Sequence, residues 1–414
     1  MIRSVVKTLY WRSWSFAGGI RWAGHISLGL GLLVLASICV AESATLQERI
    51  EKATVLRRLN MEGLTIRESR VVGDLGVLLA PKTDSAIVLG YRSGGMRCFR
   101  FAVPTRGAVS CYLHEVSGDG STVIVVMPAG NDWFRAEIWD TSGTRRFEID
   151  TPVDIVSSPR GKYFCNSNPT IERAVLTIWD SLGHRSDRLG WAPRTWAASF
   201  ISDERLLIAQ LDTARIVDVR SGQVLRSVAL AFSKDGGPLQ ITSSRTRKHL
   251  AIHGDKEILV MTPTGEPLWR ETFRDELCQV SLDEGTARVA MLFRTFREPY
   301  GYVRVHSVSP EGFDATSERT SLLGRAFLSL GFDYFWFQGG VITVWDPSLV
   351  LSGLLTSSTP RTLFYQVADQ GSTELCQPVN GEGFYQPLGS NGDTGKYLKI
   401  TQPRVVSILS LGKP

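Results

Sequence analysis

The sequence feature that most constrains the fold is a strand-like segment that recurs with the same ending. Two copies, AEIWD at Ala136–Asp140 and LTIWD at Leu176–Asp180, are 40 residues apart, and a third, VITVWD, lies at Val341–Asp346. The intervening sequence contains weaker copies: Ala214–Asp218, Ile258–Met261 and Val303–His306. A period of about forty residues indicates a repeat architecture in which each unit packs against its neighbours.

A second signal, a polar turn followed by an aliphatic run, falls about fifteen residues before these strands. It occurs seven times, at Lys82–Asp84, Gly118–Gly120, Pro159–Gly161, Ser202–Glu204, Thr246–Arg247, Asp283–Gly285 and Gly331–Asp333. Glycine turns such as Thr141–Gly143 follow several of the strands, as tight hairpins require. Each unit is therefore predicted to form four short strands.

A single four-stranded sheet exposes two apolar faces, so it becomes stable only when other sheets stack against it in a ring. The sequence therefore predicts an all-β fold, a seven-bladed β-propeller with four-stranded antiparallel blades, over residues 64–354. We expect it to be monomeric. The last blade lacks a clear fourth strand after Pro347, and Leu64–Val72 is predicted to supply it.

These motifs resemble those of known propellers. The Ile/Val-Trp-Asp endings and Asp-Gly turns are similar to WD-repeat and YVTN-type blades, and Thr264–Trp269 (TGEPLW) resembles a quinoprotein-type blade. No predicted blade has at its entrance the Gly-His pair that opens WD repeats, so the chain resembles a diverged member of this superfamily. Such propellers include both enzymes and scaffolds, so the resemblance implies the fold and not an activity.

The N-terminal segment has the features of a targeting signal. Residues 26–41 (ISLGLGLLVLASICVA) carry no charge, follow Arg3, Lys7, Arg12 and Arg21, and precede small residues. A cleaved signal peptide, an uncleaved signal anchor and an Arg-rich mitochondrial presequence all fit this pattern. We interpret residues 1–43 as a signal peptide or anchor, and expect a periplasmic or secreted protein, either free or tethered to the inner membrane.

The charge balance excludes nucleic acid as a partner. The chain carries a net charge of +5, of which +3 belongs to residues 1–43. The remainder is close to neutral, whereas nucleic-acid binding requires basic residues clustered on one face.

Two segments flank the repeats. Residues 44–63 form a predicted linker, in which the spacing of Leu46, Ile50, Ala53 and Leu56 indicates a short amphipathic helix over 44–61 that joins the membrane to the propeller. Residues 355–414 are rich in Ser, Thr, Pro and Gly, and are interpreted as a cap, a partial eighth blade or a decoration.

No motif for catalysis, metal binding or cofactor binding occurs in the sequence, so no catalytic residue, metal or cofactor is predicted. His249 and His253 would lie about 13 Å apart on a strand, too far to share a metal. Cys98 and Cys111 are placed either to form a disulfide or to act as small buried hydrophobes.

The connections between second and third strands offer a candidate binding surface. Three of them are long, at Pro128–Phe134, Ser167–Arg173 and Arg294–Gly301, and all should open on one face around the channel mouth. Aromatic and arginine side chains on loops commonly dominate binding energy. They also fold back onto their own blades, which is the alternative here. The candidate partner-binding residues are Asn131, Asp132, Trp133, Phe134, Trp191, Trp196, Arg294, Phe296, Arg297 and Tyr300.

These patterns favour a non-enzymatic extracytoplasmic scaffold that binds a protein or a polysaccharide through this face. The alternative is an exported hydrolase, lyase or lactonase with its site at the channel mouth. A degenerate quinoprotein dehydrogenase is a third hypothesis, which rests on the single TGEPLW blade.

Overall fold

The structure is a computed structural model. The residues that it describes are 46–105, 111–130, 133–151, 154–167, 176–190, 195, 197–210, 212–230, 232, 239–244, 247–283, 287–294, 301–308, 314–317, 335–338, 341–346, 361–366, 374–375, 379–382, 384–388, 396–402 and 405–411. The predicted targeting segment, residues 1–43, lies outside this set. Within the described ranges, no helix has the length and apolar character needed to cross a membrane.

The described strands form eight sheets, and the first three are made of strands consecutive in the chain. The first strand of the chain, β1 Thr54–Arg58, belongs to the last sheet. The first sheet is β2 Glu68–Val72, β3 Leu75–Pro81, β4 Ser85–Arg92 and β5 Arg97–Pro104. The second sheet is β6 Tyr112–Val116, β7 Thr122–Gly130, β8 Trp133–Asp140 and β9 Arg145–Thr151. The third is β10 Asp154–Ser157, β11 Tyr163–Ser167, β12 Ile178–Asp180 and β13 Arg185–Ser186.

The next four sheets follow the same antiparallel order. The fourth is β14 Ala197–Phe200, β15 Arg205–Ala209, β16 Thr213–Asp218 and β17 Val224–Ala229. The fifth is β18 Gln240–Ser243, β19 Leu250–His253, β20 Glu257–Met261 and β21 Pro267–Thr272. The sixth is β22 Glu276–Asp283, β23 Arg288–Arg294, β24 Gly301–Ser307 and β25 Asp314–Ser317, with β29 Glu374–Leu375 added in parallel. The seventh is β26 Phe335–Gln338, β27 Val341–Asp346, β28 Arg361–Gln366 and β30 Val379–Glu382.

The eighth sheet closes the ring with strands from both ends of the chain. It is ordered β1, β33, β32, β31, where β31 is Phe384–Pro387, β32 Lys396–Gln402 and β33 Val405–Ser410. The first strands of consecutive sheets adjoin one another around the centre, and β31 adjoins both β26 and β2. The predicted all-β propeller with four-stranded antiparallel blades is thus confirmed, with seven sheets for the seven predicted repeats and an additional sheet that closes the ring.

The strand that closes the ring is not the predicted one. Residues Glu68–Val72 form β2, the innermost strand of the first sheet, and β1 is the N-terminal strand that pairs with β33. Leu64 and Ile66 are instead buried between the eighth and first sheets. The strands of the ring therefore extend beyond the predicted limits of 64–354 at both ends, because the last sheet needs β1 to complete it.

The predicted helix over 44–61 is correct only in its first part. The helix, α1, spans residues 46–51, and Thr54–Arg58 is strand β1. Leu46 is buried against Tyr385, Tyr397 and other residues of the eighth sheet. All five residues of β1 are exposed, as expected of the outermost strand of a sheet. Backbone pairing with β33 therefore overrides the helical spacing that Leu56 suggested.

Alternate residues of each strand face the two neighbouring sheets, which is why the strands are apolar on both sides. In β7, Val123 and Val125 pack in the cluster between the first and second sheets, whereas Ile124 packs in the cluster toward the third. Similar clusters join the third to the fourth sheet, the fourth to the fifth, the fifth to the sixth and the eighth to the first. The core is therefore divided into layers between sheets.

The Trp-Asp ending of the second sheet serves the packing and the turn. Trp139 is buried and stacks on Phe101 of the first sheet, with 5.5 Å between ring centroids. Asp140 Oδ1 accepts hydrogen bonds from the backbone N–H groups of Ser142 and Thr144, each at 3.0 Å, and so orders the hairpin that follows. Trp139 is therefore part of the core between the first two sheets.

Two predicted repeat positions are out of register with the others. Lys82–Asp84 lies between the second and third strands of the first sheet, whereas Gly118–Gly120 lies between a first and a second strand. Val341–Asp346 is β27, the second strand of its sheet, although the other Trp-Asp strands are third strands. A short strand of alternating apolar residues looks the same at either position, so the sequence alone did not distinguish them.

Candidate functional site

The ring has two ends, which differ in the connections that they carry. The end that we call the loop face carries the connections from second to third strands and from one sheet to the next, for example 82–84, 254–256 and 273–275. The end that we call the hairpin face carries the connections from first to second and from third to fourth strands, for example 117–121, 158–162, 141–144 and 244–249. Of the predicted binding residues, the three that the structure describes, Trp133, Phe134 and Arg294, lie at strand ends on the loop face.

Most of the predicted binding residues lie outside the described residues. These are Asn131, Asp132, Trp191, Trp196, Phe296, Arg297 and Tyr300. Trp133 is placed by its backbone as the first residue of β8. Phe134 follows it, is half-buried and pairs with Pro128 and Thr151 in the sheet. The structure therefore places Phe134 of the second sheet and Arg294 of the sixth sheet at the loop face.

Arg294, the last residue of β23, is held by Glu276, the first residue of β22. Its Nε donates to Oε2 of Glu276 at 2.8 Å, and its Nη2 donates to Oε1. Burial lowers the pKa of Arg294, but the hydrogen bond and charge of Glu276 outweigh it and leave that pKa raised. The guanidinium is thus fixed in position, and part of its hydrogen-bonding capacity is already used within the sixth sheet.

The aromatic rings beside Arg294 pack onto their own part of the fold. Tyr302 stacks on Phe293 with 4.8 Å between ring centroids, and its hydroxyl donates to Oδ2 of Asp275 at 3.1 Å. Phe273 meets Phe293 edge to face, also at 4.8 Å. Asp255 lies near Glu276, and burial together with the charge of Glu276 raises the pKa of Asp255. This part of the loop face is a rigid patch of paired charges over packed rings.

The innermost strands are joined to one another by side chains. A first strand has no further strand on its channel side, so its backbone groups there need other partners. Glu68 of β2 accepts a hydrogen bond from the N–H of Leu113 at 2.7 Å, and His114 Nε2 lies 2.9 Å from the carbonyl oxygen of Ile155. Gln386 of β31 donates to the carbonyl oxygen of Ser69 at 3.1 Å. These bonds link the eighth, first, second and third sheets in turn.

Glu115 makes two of these links, both to Ser157. Its Oε2 accepts from the N–H of Ser157 at 2.9 Å and its Oε1 from the Ser157 hydroxyl at 3.0 Å. Burial raises the pKa of Glu115 to about 7, although the bonds from Ser157 and the charges of Arg247 and Arg70 oppose the shift. A carboxyl group that titrates near neutrality inside the ring is an electrostatic feature that the sequence did not indicate.

The cysteine pair is not a disulfide in the structure, which contradicts the first of the two predicted alternatives. Cys98 is exposed on β5, the outermost strand of its sheet, whereas Cys111 is buried just before the innermost strand β6. Opposite edges of two sheets separate the two thiols. Burial raises the pKa of the Cys111 thiol, as it does for Cys165. Among the described residues, no group of three His, Cys, Asp or Glu side chains is arranged to hold a metal.

Comparison with known proteins identifies no relative by sequence. No protein-family model matches the chain, and no curated protein matches it. Solved structures do match, among them a chain of the crystal structure of the mitotic checkpoint complex, at 13% identity with a TM-score of 0.45. That match covers 71% of this chain and 93% of the other.

Sequence reasoning missed the residues that line the inside of the ring. Glu68, Glu115 and Gln386 look like ordinary polar residues of short strands, and their role depends on a neighbouring sheet that is distant in sequence or on the closure. Arg247, in contrast, could have been found from the sequence by comparing the repeats with one another. It occupies a turn position at which two other repeats have glycine.

Proposed function

We propose that this protein is a non-enzymatic binding protein that uses the loop face to hold a protein partner. A closed ring of sheets supports this, because it holds many connections in fixed positions around one end of a rigid body. The observation that carries the proposal is the fixed position of Arg294 at this face, through its two hydrogen bonds to Glu276. Preorganised arginine and aromatic side chains lose little freedom on binding and so favour tight association.

The partner that suits this surface is a protein with acidic and apolar side chains. Arg294 is held at this face by Glu276, and Phe134 presents a half-buried ring at the same end of the ring. In the sequence, Trp133 immediately precedes Phe134, and Phe296, Arg297 and Tyr300 follow Arg294. A polysaccharide could stack on the same aromatic rings, so the experiment has to distinguish a polysaccharide ligand from a protein partner.

The test compares a loop-face variant with a matched hairpin-face variant. The loop-face variant combines Trp133→Ala, Arg294→Ala, Glu276→Ala and Tyr300→Ala, where the Glu276 change avoids leaving an unpaired carboxylate. The control combines Arg160→Ala and Leu182→Ala, which are exposed residues of the hairpin face. A partner protein is identified by affinity capture with the full chain and then purified, and its Kd is measured for each form by calorimetry.

We expect the loop-face variant to bind the purified partner at least tenfold more weakly, and the control to bind like the unchanged protein. Equal binding by the loop-face variant, at unchanged thermal stability, would reject this face as the binding surface. Retention on immobilised polysaccharide with no protein bound would reject the protein partner.

We further propose that the protein is exported and acts outside the cytoplasm. The uncharged run at residues 26–41, with its basic N-terminal flank, supports export. Fractionation of cells that produce the full chain tests this, and Edman sequencing of the product distinguishes a cleaved signal from an anchor. Recovery of the full chain, starting at Met1, from the cytoplasmic fraction alone would contradict the proposal.

A further inference from the structure

Three hairpins of the hairpin face share one design. In each, a serine hydroxyl accepts a hydrogen bond from the backbone N–H at the start of the second strand: Ser117 from Thr122, Ser158 from Lys162 and Ser244 from His249, each at 3.0 Å. The carbonyl of the same serine accepts from the N–H three residues later, which belongs to Gly120, Gly161 and Arg247 at 2.7, 2.9 and 2.8 Å. These three residues are therefore structurally equivalent.

The equivalent position requires a left-handed backbone, which favours glycine. Gly120 has a φ of 72° and Gly161 one of 60°, and Arg247 has the same conformation with a φ of 60°. A Cβ at Gly161 would lie 2.3 Å from Thr122 Oγ1, and one at Gly120 would lie 2.6 Å from Leu75 Cδ2. Glycine thus serves the turn in two repeats. The hairpin of the fifth sheet instead carries an arginine, which is strained there, and backbone strain of this kind clusters at functional sites.

Arg247 lies in the hairpin that follows the innermost strand β18, on the hairpin face. It interacts electrostatically with Asp203, on the hairpin of the fourth sheet, and with Glu115, on the innermost strand of the second sheet. The second and fifth sheets are three positions apart around the ring, so a side chain of the fifth that acts on Glu115 has to extend toward the centre. Arg247 therefore lies at the end of the channel on the hairpin face.

Within the described part of the chain, one nitrogen of this guanidinium is left unpaired. Nη1 of Arg247 is buried and has no hydrogen-bond partner in the described part of the chain. The nearby carboxylates are engaged elsewhere, because Asp203 Oδ1 accepts from the backbone N–H of Arg160 at 2.9 Å and Glu115 accepts from Ser157. A buried donor on a cation is costly to leave unpaired, so an acceptor from outside the chain would be bound favourably.

We propose that Arg247 binds a small oxyanion, a carboxylate or a phosphate, at the channel end on the hairpin face. One oxygen of the anion accepts a hydrogen bond from Nη1. Arg70, whose charge also acts on Glu115, adds positive potential from the first sheet. The site is distinct from the loop face, which is at the opposite end of the ring. The two proposals can therefore be tested independently of each other.

The variant that tests the site is Arg247→Gly, because it restores the residue that the two equivalent hairpins contain and is compatible with the backbone. Arg185→Gln is the matched control, since Arg185 begins the outermost strand of the third sheet on the same face and has an exposed side chain. Full-length protein is titrated by calorimetry with sodium phosphate and, separately, with sodium acetate, at an ionic strength held constant with sodium chloride. Thermal unfolding is followed under the same conditions.

We expect at least one of the two anions to bind the unchanged protein and Arg185→Gln with equal affinity and to raise their melting temperatures. Arg247→Gly should bind at least tenfold more weakly while remaining folded. Binding of phosphate alone or of acetate alone identifies the class of oxyanion. Unchanged affinity in Arg247→Gly, or no binding of either anion above the chloride control, would overturn the proposal.

Discussion

The N–H and the hydroxyl of Ser157 both donate to the carboxylate of Glu115, at 2.9 and 3.0 Å. One side chain of the second sheet thereby satisfies a backbone donor on the inner edge of the third. With the bonds of Glu68 to Leu113 and of Gln386 to Ser69, it belongs to a series of links that runs along the innermost strands. These links stabilise a ring edge that has no neighbouring strand.

Removal of the Glu115 carboxylate should destabilise the fold. In Glu115→Ala, the buried N–H of Ser157 loses its acceptor, which costs about 1–3 kcal/mol in the free energy of unfolding. Urea unfolding followed by tryptophan fluorescence measures the change. The control is Glu148→Ala on the exposed strand β9, where a change within about 0.5 kcal/mol is expected. Equal stability of the two variants would contradict a linking role for Glu115.

Glu115 should also impose a pH dependence on stability. Its pKa in the folded protein is raised to about 7 from an ordinary value of 4.5, so the folded state binds the extra proton between these values. The stability that it contributes is complete below pH 4.5 and is lost as the pH rises through 7. Melting temperatures of the unchanged protein and of Glu115→Gln, measured from pH 4.5 to 8, should diverge in this direction. Parallel profiles would show that Glu115 does not titrate in this range.

His253 should produce the opposite dependence. It is buried on β19 with 1% of its surface exposed, and burial lowers its pKa to about 4 from 6.5. The unfolded chain therefore binds more protons between pH 6.5 and pH 4, so stability falls as the solution is acidified through this window. His253→Leu should weaken the acid sensitivity, and Leu182→Ala, at an exposed residue without a titratable side chain, should leave it unchanged. An unaltered acid profile in His253→Leu would contradict this account.

Glycine at the left-handed position of the third sheet's first hairpin should be essential for stability. In Gly161→Ala, the new Cβ would meet Thr122 Oγ1 at 2.3 Å with a φ of 60°, so we expect a loss of more than about 1 kcal/mol. Gly94→Ala is the control, because no atom lies within 4 Å of a Cβ at that position. Chemical denaturation of both variants measures the difference. A tolerated alanine at Gly161 would show that the hairpin can rearrange.

Much of the ring could be predicted from particular residues. The Trp-Asp endings gave the position of Trp139 in the core and of Asp140 at the turn, because tight hairpins and period-two burial leave a local pattern. The polar contacts inside the ring could not be predicted in this way. Glu115 and Ser157 are 42 residues apart and meet only because consecutive sheets adjoin at the centre.

The sequence by itself determined the repeat, the four-stranded units and their turns, since these depend on local backbone preferences and alternating apolar residues. Only the tertiary structure decided how the ring closes, because the pairing of Thr54–Arg58 with Val405–Ser410 joins the two ends of the chain and leaves no local signal. It also decided which polar residues meet inside the ring. Arg247 lies between the two cases: its place in the repeat is visible in the sequence, but its approach to Glu115 depends on the curvature of the whole ring.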